Sequence, residues 1–369
     1  MIVEQSRDFP TTSYNDSRQP RPPQQRKPPA TAGDPEIGKR LAYDGEKGRC
    51  LTCHVLGADS AQPGNVGTNL SDYGARVTDA AFTYQQVWDA RVHNPSTMMP
   101  PFGTNELLTE REVSHIVAFL HTLTRVTEVP ARPGRHRTRR DKVFVTGEDL
   151  TLADDYIDAG RAEFARPGHN GRSCASCHSP GKSGPDLKGA AATYPRFEKA
   201  GGYVSTLEDR VNRCRREHMG SPPIDLGTPR LNVLASYLRY LSRGVPIRLD
   251  TSGPAAEAAA RGKRTFARKA GQLNFSCADC HTAASGKWLR GQRLAGLETV
   301  AGDWPKHFIA AHDLGLITLQ QRIRHCQIVV RTIPLPLGSR EYNELELYLT
   351  SLANGTPVWA PTQSRLRGQ

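Results

Sequence analysis

Three copies of the pentapeptide Cys-x-x-Cys-His constrain this chain more than any other feature of its sequence. In each copy, two thiols about one helical turn apart can add to the vinyl groups of one porphyrin, and the adjacent histidine can bind its iron. No second Cys-x-x-Cys lies near any copy to complete a zinc site. The sequence therefore predicts three covalently bound haem c groups. The attachment residues are Cys50, Cys53, Cys174, Cys177, Cys277 and Cys280, and the proximal ligands are His54, His178 and His281.

The composition fits such a protein and argues against two other classes. Only 37% of the 369 residues are hydrophobic, which is low for a packed enzyme, but each porphyrin adds apolar surface to the core of its domain. The net charge of +12 attracts anions and acidic protein partners. No basic and aromatic pattern and no helix-turn-helix signal indicates nucleic-acid binding. No apolar stretch is long enough to span a membrane.

The expected cellular location follows from the predicted cofactor. Haem c attachment implies export to an oxidising compartment, so we expect a periplasmic protein. Residues 1–34 contain no apolar core of a signal peptide. We therefore expect either that the numbering starts after processing or that the true start lies upstream.

We predict a mainly α protein with three cytochrome c-like haem domains, of which the last two form an internal repeat. The last helix of the first domain is predicted from a capping box at Thr109 and Glu112, followed by apolar residues at helical spacing. The expected bounds are 1–34 for a disordered Pro- and Arg-rich tail, 35–126 for the first haem domain, 127–145 for a basic linker, 146–249 for the second haem domain and 250–369 for the third.

The distal ligand of the first haem is predicted to be a methionine. Met98 and Met99 precede a Pro-Pro-Phe-Gly segment well after His54, where small cytochromes c place such a ligand. We assign Met99, which adjoins the prolines, and expect Met98 to pack away from the iron. The alternative is that both methionines are core residues.

The repeat indicates the distal ligands of the other two haems. Candidates are Cys214, His218 and Met219 in the second domain and His307, His312, His325 and Cys326 in the third. Residues 206–214 match residues 318–326, and of these candidates only Cys214 and Cys326 correspond. Thiolate ligation by both cysteines is the economical prediction. The alternative is a disulfide that joins them.

Arginines at equivalent positions precede both of these cysteines. Arg210 and Arg322 each lie four residues earlier, on the same face of a helix as the cysteine. A guanidinium there could pair with a haem propionate or hold an anionic substrate through its planar fork. The spacing leaves both roles open.

Longer segments resemble the cytochromes of bacterial thiosulfate oxidation. The first domain resembles SoxX in residues 63–67, in residues 94–103 and in the Leu108-Thr109-x-x-Glu112 helix start. Residues 146–369 resemble SoxA in residues 271–281, in Arg322-Ile323-x-x-Cys326 and in residues 341–349. The chain is thus similar to a SoxX–SoxA fusion, although the two proteins are usually separate. It departs from the family at Thr68, where proline is common, and at Trp304, where tyrosine is usual.

This resemblance implies an activity. The family joins thiosulfate to a cysteine of the carrier SoxYZ, and two electrons leave towards a soluble cytochrome c. By the same resemblance, Cys326 is the distal cysteine that carries a persulfide, and Arg322 binds the substrate. The expected enzyme is an L-cysteine S-thiosulfotransferase.

Two other functions fit a trihaem chain. A cytochrome that only transfers electrons normally uses methionine or histidine at every iron, so two thiolates would be unusual. A dihaem peroxidase needs an open or displaceable haem site beside an acid–base residue, and nothing in the sequence marks one.

Overall fold

The computed structural model describes residues 21–57, 60, 62–128, 152–290, 292–297, 304–309 and 315–365. Helices dominate and the strands are short, so the predicted mainly α fold is confirmed. None of the helices in these ranges is long and apolar enough to cross a membrane. The basic linker predicted at 127–145 lies outside the described residues from position 129 onward.

The helices and strands follow the order of the three domains. The helices are α1 Pro35–Tyr43, α2 Tyr73–Arg76, α3 Ala80–Asp89, α4 Glu110–Thr122, α5 Leu152–Ala165, α6 Cys174–His178, α7 Leu207–Met219, α8 Pro229–Leu241, α9 Gly253–Ala267, α10 Leu319–Val329 and α11 Arg340–Ser351. The strands are β1 Arg196–Glu198, β2 Tyr203–Ser205, β3 Trp288–Leu289, β4 Gln292–Arg293, β5 Lys306–Ile309, β6 Gly315–Ile317 and β7 Thr362–Arg365. β1–β2 and β3–β4 are antiparallel hairpins, and β5 lies between antiparallel β6 and parallel β7.

In the first domain, α1 packs against α4. The side chain of Asp34 caps α1, and the predicted capping box of Thr109 and Glu112 begins α4. Such caps satisfy backbone N–H groups that have no partner within the helix. The apolar faces of both helices contribute to one core that also contains the buried Leu56 and Tyr84.

Residues 21–27, which belong to the tail predicted from the sequence, form a strap along α3. The backbone N–H groups of Gln24 and Arg26 donate to the side chains of Asp89 (3.0 Å) and Gln85 (2.7 Å). The Arg26 guanidinium also lies 5.5 Å from the centre of the Trp88 ring. The composition indicated disorder because the tail cannot bury an apolar core of its own. The structure nevertheless gives residues 24 and 26 partners for their backbone N–H groups on α3.

The second and third domains contact each other through equivalent residues of the repeat, so the two domains are related by an approximate two-fold axis. Asn232 Nδ2 of the second domain donates to the Leu316 carbonyl of the third (2.9 Å), and Asn343 Nδ2 of the third donates to the Val204 carbonyl of the second (2.9 Å). The segments after α8 and α11 also pair with each other, through backbone bonds between residues 244–247 and 355–358.

The first domain docks on the third through reciprocal hydrogen bonds. Asn105 Nδ2 donates to the Gln272 carbonyl (2.7 Å), and Gln272 Nε2 donates to the Asn105 carbonyl (2.9 Å). The backbones of Asn65 and Trp288 meet in a second contact, where Asn65 N donates to the Trp288 carbonyl (2.9 Å). Leu273 and its neighbours extend into the core of the first domain. The docked surface therefore includes residues 271–275, which immediately precede the third haem motif.

Candidate haem centres

The three motif histidines have the same hydrogen-bonding arrangement. Nδ1 of His54 contacts the Thr68 carbonyl at 2.7 Å, Nδ1 of His178 contacts that of Pro185 at 2.9 Å, and Nδ1 of His281 contacts that of Ala295 at 2.8 Å. A carbonyl can only accept, so Nδ1 carries the proton and Nε2 presents its lone pair to a metal. This fits an axial histidine, whose second ring nitrogen usually donates to such a partner. Thr68 contributes only its carbonyl here, so its side chain does not alter the contact.

Glycines fit closely beside two of these histidines. An added Cβ at Gly67 would lie 2.3 Å from Cε1 of His54, and one at Gly184 would lie 3.1 Å from Nδ1 of His178. Their amides also hold the motifs, because Gly67 N donates to the Cys53 carbonyl and Gly184 N donates to the Cys177 carbonyl, both at 2.8 Å. The loop after each motif therefore fixes the orientation of the imidazole.

The motif thiols lie in apolar surroundings that suit a porphyrin. Burial raises the pKa of Cys50 to about 12 and that of Cys174 to about 11. Burial is also the main cause that raises the pKa of Cys277 and of Cys280 to about 12. These raised pKa values reflect thiols that pack, partly buried, against the apolar cores of their domains, as Cys50, Cys174 and Cys277 do.

Cys214 and Cys326 lie with the motifs of their own domains. No disulfide joins Cys214 to Cys326 in the structure, which contradicts that alternative. Cys214 adds to the electrostatic rise of the Cys174 pKa, and Cys326 does the same for Cys277. The helices α7 and α10 thus place Cys214 and Cys326 close to the haem motifs of their own domains, as distal ligation requires. Among the alternatives in the second domain, His218 is exposed.

Met99 lies where a ligand of the first haem is expected. It is partly buried against the core of the first domain, in the same cluster as Cys50 and Leu51 of the motif. Met98 is also partly buried but does not belong to that cluster. Met99 remains the predicted ligand, and its position supports that prediction.

The third domain collects positive charge beside its motif. Arg322, in the first turn of α10, lowers the pKa of His281 after the larger effect of burial. Lys306 lies 4.9 Å from the centre of the Trp304 ring, and burial followed by the charge of Arg322 lowers its pKa to about 8. Lys306 was missed from the sequence, although an aromatic-Pro-cation triplet in both repeats could have indicated it.

The first and third motifs lie next to each other. Burial, Cys326 and Asp279 raise the pKa of Cys280, and Cys53 of the first motif adds to this rise. Arg290 N, in the turn of the β3–β4 hairpin, donates to the carbonyl of Thr52 inside the first motif (3.1 Å). The docking therefore brings together two haem attachment sites that are distant in the sequence.

Comparisons with known proteins agree with this arrangement. The family model described as "SoxA/TsdA, cytochrome c domain" matches residues 159–247 and 261–358, and the "Cytochrome c" model matches residues 35–124. These matches confirm the prediction of three cytochrome c domains with a repeat. The "L-cysteine S-thiosulfotransferase subunit SoxA" of Rhodovulum sulfidophilum is 31% identical over 208 residues, which cover 56% of this chain and 70% of that protein.

Two further similarities extend the comparison. A protein with the same description from Hydrogenobacter thermophilus is 32% identical over 235 residues, which cover 62% of this chain and 88% of that protein. Among solved structures, the crystal structure of SoxXA from P. pantotrophus matches with a TM-score of 0.53 and 31% identity, over 57% of this chain and 78% of that one. The likeness therefore extends from sequence to fold.

Proposed function

The chain belongs to the SoxA/TsdA cytochrome c family and is a SoxAX-type protein, and on this premise we propose that it conjugates thiosulfate to a cysteine of the carrier SoxYZ. It is a thiosulfate-oxidising c-type cytochrome of the L-cysteine S-thiosulfotransferase class. We propose a periplasmic location, since haem c is attached in oxidising compartments.

The reaction balances as a two-electron oxidation. A carrier thiolate, R–S⁻, and thiosulfate, S₂O₃²⁻, combine into the cysteine S-thiosulfonate, R–S–S–SO₃⁻. The total charge of the sulfur compounds changes from −3 to −1. One S–S bond forms and two electrons leave. Covalently bound haem c would supply one-electron acceptors for them, held by the three motifs. We propose a soluble cytochrome c as the final acceptor.

The observation that carries this proposal is the charge beside Cys326. Arg322 is one helical turn before Cys326 and close enough to Lys306 and His281 to affect their pKa values. A guanidinium can hold two oxygens of a sulfonate-like group at once, and an ammonium adds a second cation for a dianion. We propose that Arg322 and Lys306 orient thiosulfate, and that the Cys326 thiolate first joins it as Cys–S–S–SO₃⁻ while the two electrons leave. The carrier thiolate would then take the S–SO₃⁻ group, and the Cys326 thiolate would be released as the leaving group.

We propose that electrons leave from the third domain through the first. The hairpin that contacts Thr52 and the proximity of Cys53 to Cys280 support this order. Methionine ligation by Met99 would give the first haem a higher potential than a thiolate-ligated haem, which favours transfer in that direction.

The mass of the carrier tests the proposed activity. Purified SoxYZ is incubated with the holoprotein, thiosulfate and oxidised cytochrome c, and its arm cysteine is analysed by mass spectrometry. We expect a thiosulfonate adduct that is absent without the holoprotein. Cys326→Ala should abolish the adduct and keep three haems, whereas Cys214→Ala, the matched variant in the repeat, should largely retain it.

Each other outcome contradicts a defined part of the proposal. Equal loss in both variants would contradict a special role for Cys326. If no adduct forms while the protein still exchanges electrons with cytochrome c, the chain is an electron-transfer cytochrome without this chemistry.

A further inference from the structure

The middle haem domain contains a cation cluster that is built like the one beside the third haem. Arg196 follows Tyr194-Pro195 and its guanidinium lies 4.8 Å from the centre of the Tyr194 ring, as Lys306 lies 4.9 Å from that of Trp304. Both cations begin the first strand of a hairpin whose second strand leads into the helix with the spare cysteine. The register pairs are Arg196 with Ser205 and Lys306 with Ile317.

The helix α7 contributes further positive charge to the middle cluster. Burial raises the pKa of Tyr194, and the charges of Arg196, Arg210 and Arg213 all act on its hydroxyl. Tyr194 itself packs in the core of the middle domain, against which Cys174 of the motif also packs. The three arginines therefore all lie within electrostatic reach of Tyr194. Two of them, Arg196 and Arg213, share a carboxylate partner, and Arg210 corresponds to Arg322 in the repeat.

The carboxylate of Glu198, which lies in β1 with Arg196, pairs with two of these arginines. Glu198 accepts from Nε of Arg196 at 2.8 Å and from a terminal nitrogen of Arg213 at 3.1 Å, and its side chain is 18% exposed. Burial disfavours its charge, but the two guanidiniums outweigh burial and lower the pKa of Glu198. It is therefore a fixed anion at neutral pH. Two residues after Lys306, the corresponding position of the third domain has Phe308, which carries no charge.

A carboxylate and a small oxoanion compete for the same donors. Each presents a pair of oxygens on one central atom, which a guanidinium fork can bind together. We propose that the middle domain retains an oxoanion-binding site and that Glu198 is the internal anion that closes it. The closed site would confine thiosulfate and sulfate to the third domain. The choice of thiosulfate as the ligand rests on the proposed function, whereas the closure by Glu198 rests on its contacts with Arg196 and Arg213.

Equilibrium dialysis of the holoprotein against radiolabelled thiosulfate, without carrier or oxidant, tests the closure. Glu198→Gln removes the charge but keeps the size of the side chain. We expect this variant to bind about one more thiosulfate per chain than the wild type, because the freed guanidiniums can pair with the anion, and we expect unlabelled sulfate to displace it. Glu198→Asp keeps the charge and should add no site.

A matched control tests whether any pair of arginines that loses its carboxylate partner would bind thiosulfate. Glu163 in α5 of the same domain is also held by two arginines, Arg166 and Arg230, each at 2.7 Å. Glu163→Gln should leave the number of bound thiosulfates unchanged. An additional site in Glu163→Gln as well, or none in Glu198→Gln with full haem content, would overturn the inference.

The same data distinguish the inference from the proposed function. Thiosulfate bound by the wild type reports on the third domain, and the difference between Glu198→Gln and the wild type reports on the middle one. A wild type that binds none would contradict the proposed substrate site, while a gain in Glu198→Gln would still support closure. Haem absorbance and electron paramagnetic resonance should place the added anion, by a change in the signal of the middle haem alone.

Discussion

Glu346 makes the stability of this protein depend on pH in a direction that can be measured. It lies in α11, is 6% exposed, and accepts from Nε2 of Gln320 at 2.8 Å. Burial first, and then the neighbouring Glu208 of the second domain, raise its pKa to about 8. Glu346 and Glu208 line a small cavity between the two domains, together with Thr206 and Thr318, which are equivalent in the repeat. A buried carboxyl, that of Glu346, and a half-buried one, that of Glu208, thus meet where the repeat packs against itself.

The sign of the effect follows from the raised pKa. At pH values below 4.5, the ordinary pKa of a glutamate, both the folded and the unfolded protein hold the proton. Above that value the unfolded chain releases it, while the folded chain keeps it until about pH 8. The free energy of unfolding therefore falls by about 1.4 kcal/mol for each pH unit in this window, or by about 3 kcal/mol at pH 7.

Glu346→Gln should remove this loss of stability. Glutamine still offers an oxygen to Gln320 but cannot ionise, so we expect a stabilisation of about 3 kcal/mol at pH 7 that vanishes near pH 4.5. The assay is guanidinium unfolding of the holoprotein at a series of pH values, with the difference between variant and wild type as the measured quantity. As a control, the haem content of the Glu346→Gln protein is measured and should equal that of the wild type.

Glu344, on the same helix, provides a control with the opposite sign. Burial disfavours its charge, but Arg261 and Arg340 outweigh burial and lower its pKa. Glu344→Gln should therefore destabilise the protein at pH 7, and this loss should disappear as the pH falls through the lowered pKa. A difference for Glu346→Gln that does not change with pH would refute the reasoning about the buried pair.

Three further predictions concern the haem centres and the substrate. Met99→Leu should abolish the charge-transfer band of a methionine-ligated ferric haem, whereas Met98→Leu should keep it; visible spectra of the purified proteins decide between them. Gly67→Ala should displace the His54 ring and destabilise the first domain by about 1–3 kcal/mol, measured by unfolding and by the same band; an unchanged spectrum would contradict the close fit. Arg322→Lys should raise the KM for thiosulfate about tenfold without changing haem content, since lysine lacks the bidentate fork; an unchanged KM would make Arg322 a propionate partner.

Features that depend on neighbouring residues could be predicted from the sequence. The haem motifs, the Thr109 capping box and the repeat are all encoded within short segments, and the structure contains the capping box where the sequence predicts it. The triplet that contains Lys306 is local, but the proximity of Lys306 to Arg322 is not, because it depends on the pairing of β5 with the strand that precedes α10. The strap of residues 21–27 was missed because its partners, Gln85 and Asp89, are about sixty residues away.

Joining the first and third domains in one chain changes how their contact is maintained. The reciprocal bonds of Asn105 with Gln272 and of Asn65 with Trp288 involve neutral amides and backbone groups, each worth only about 1 kcal/mol net. Such a contact between separate chains would depend on their concentration, whereas a linker makes docking intramolecular, at an effective concentration of about millimolar. These bonds, together with the packing of Leu273 into the core of the first domain, are then sufficient to keep Cys53 beside Cys280. Two separate chains with the same contact would be held together by affinity alone. Substitutions at Gln272 should therefore weaken the docking of the first domain less here than the equivalent substitutions would in two separate chains.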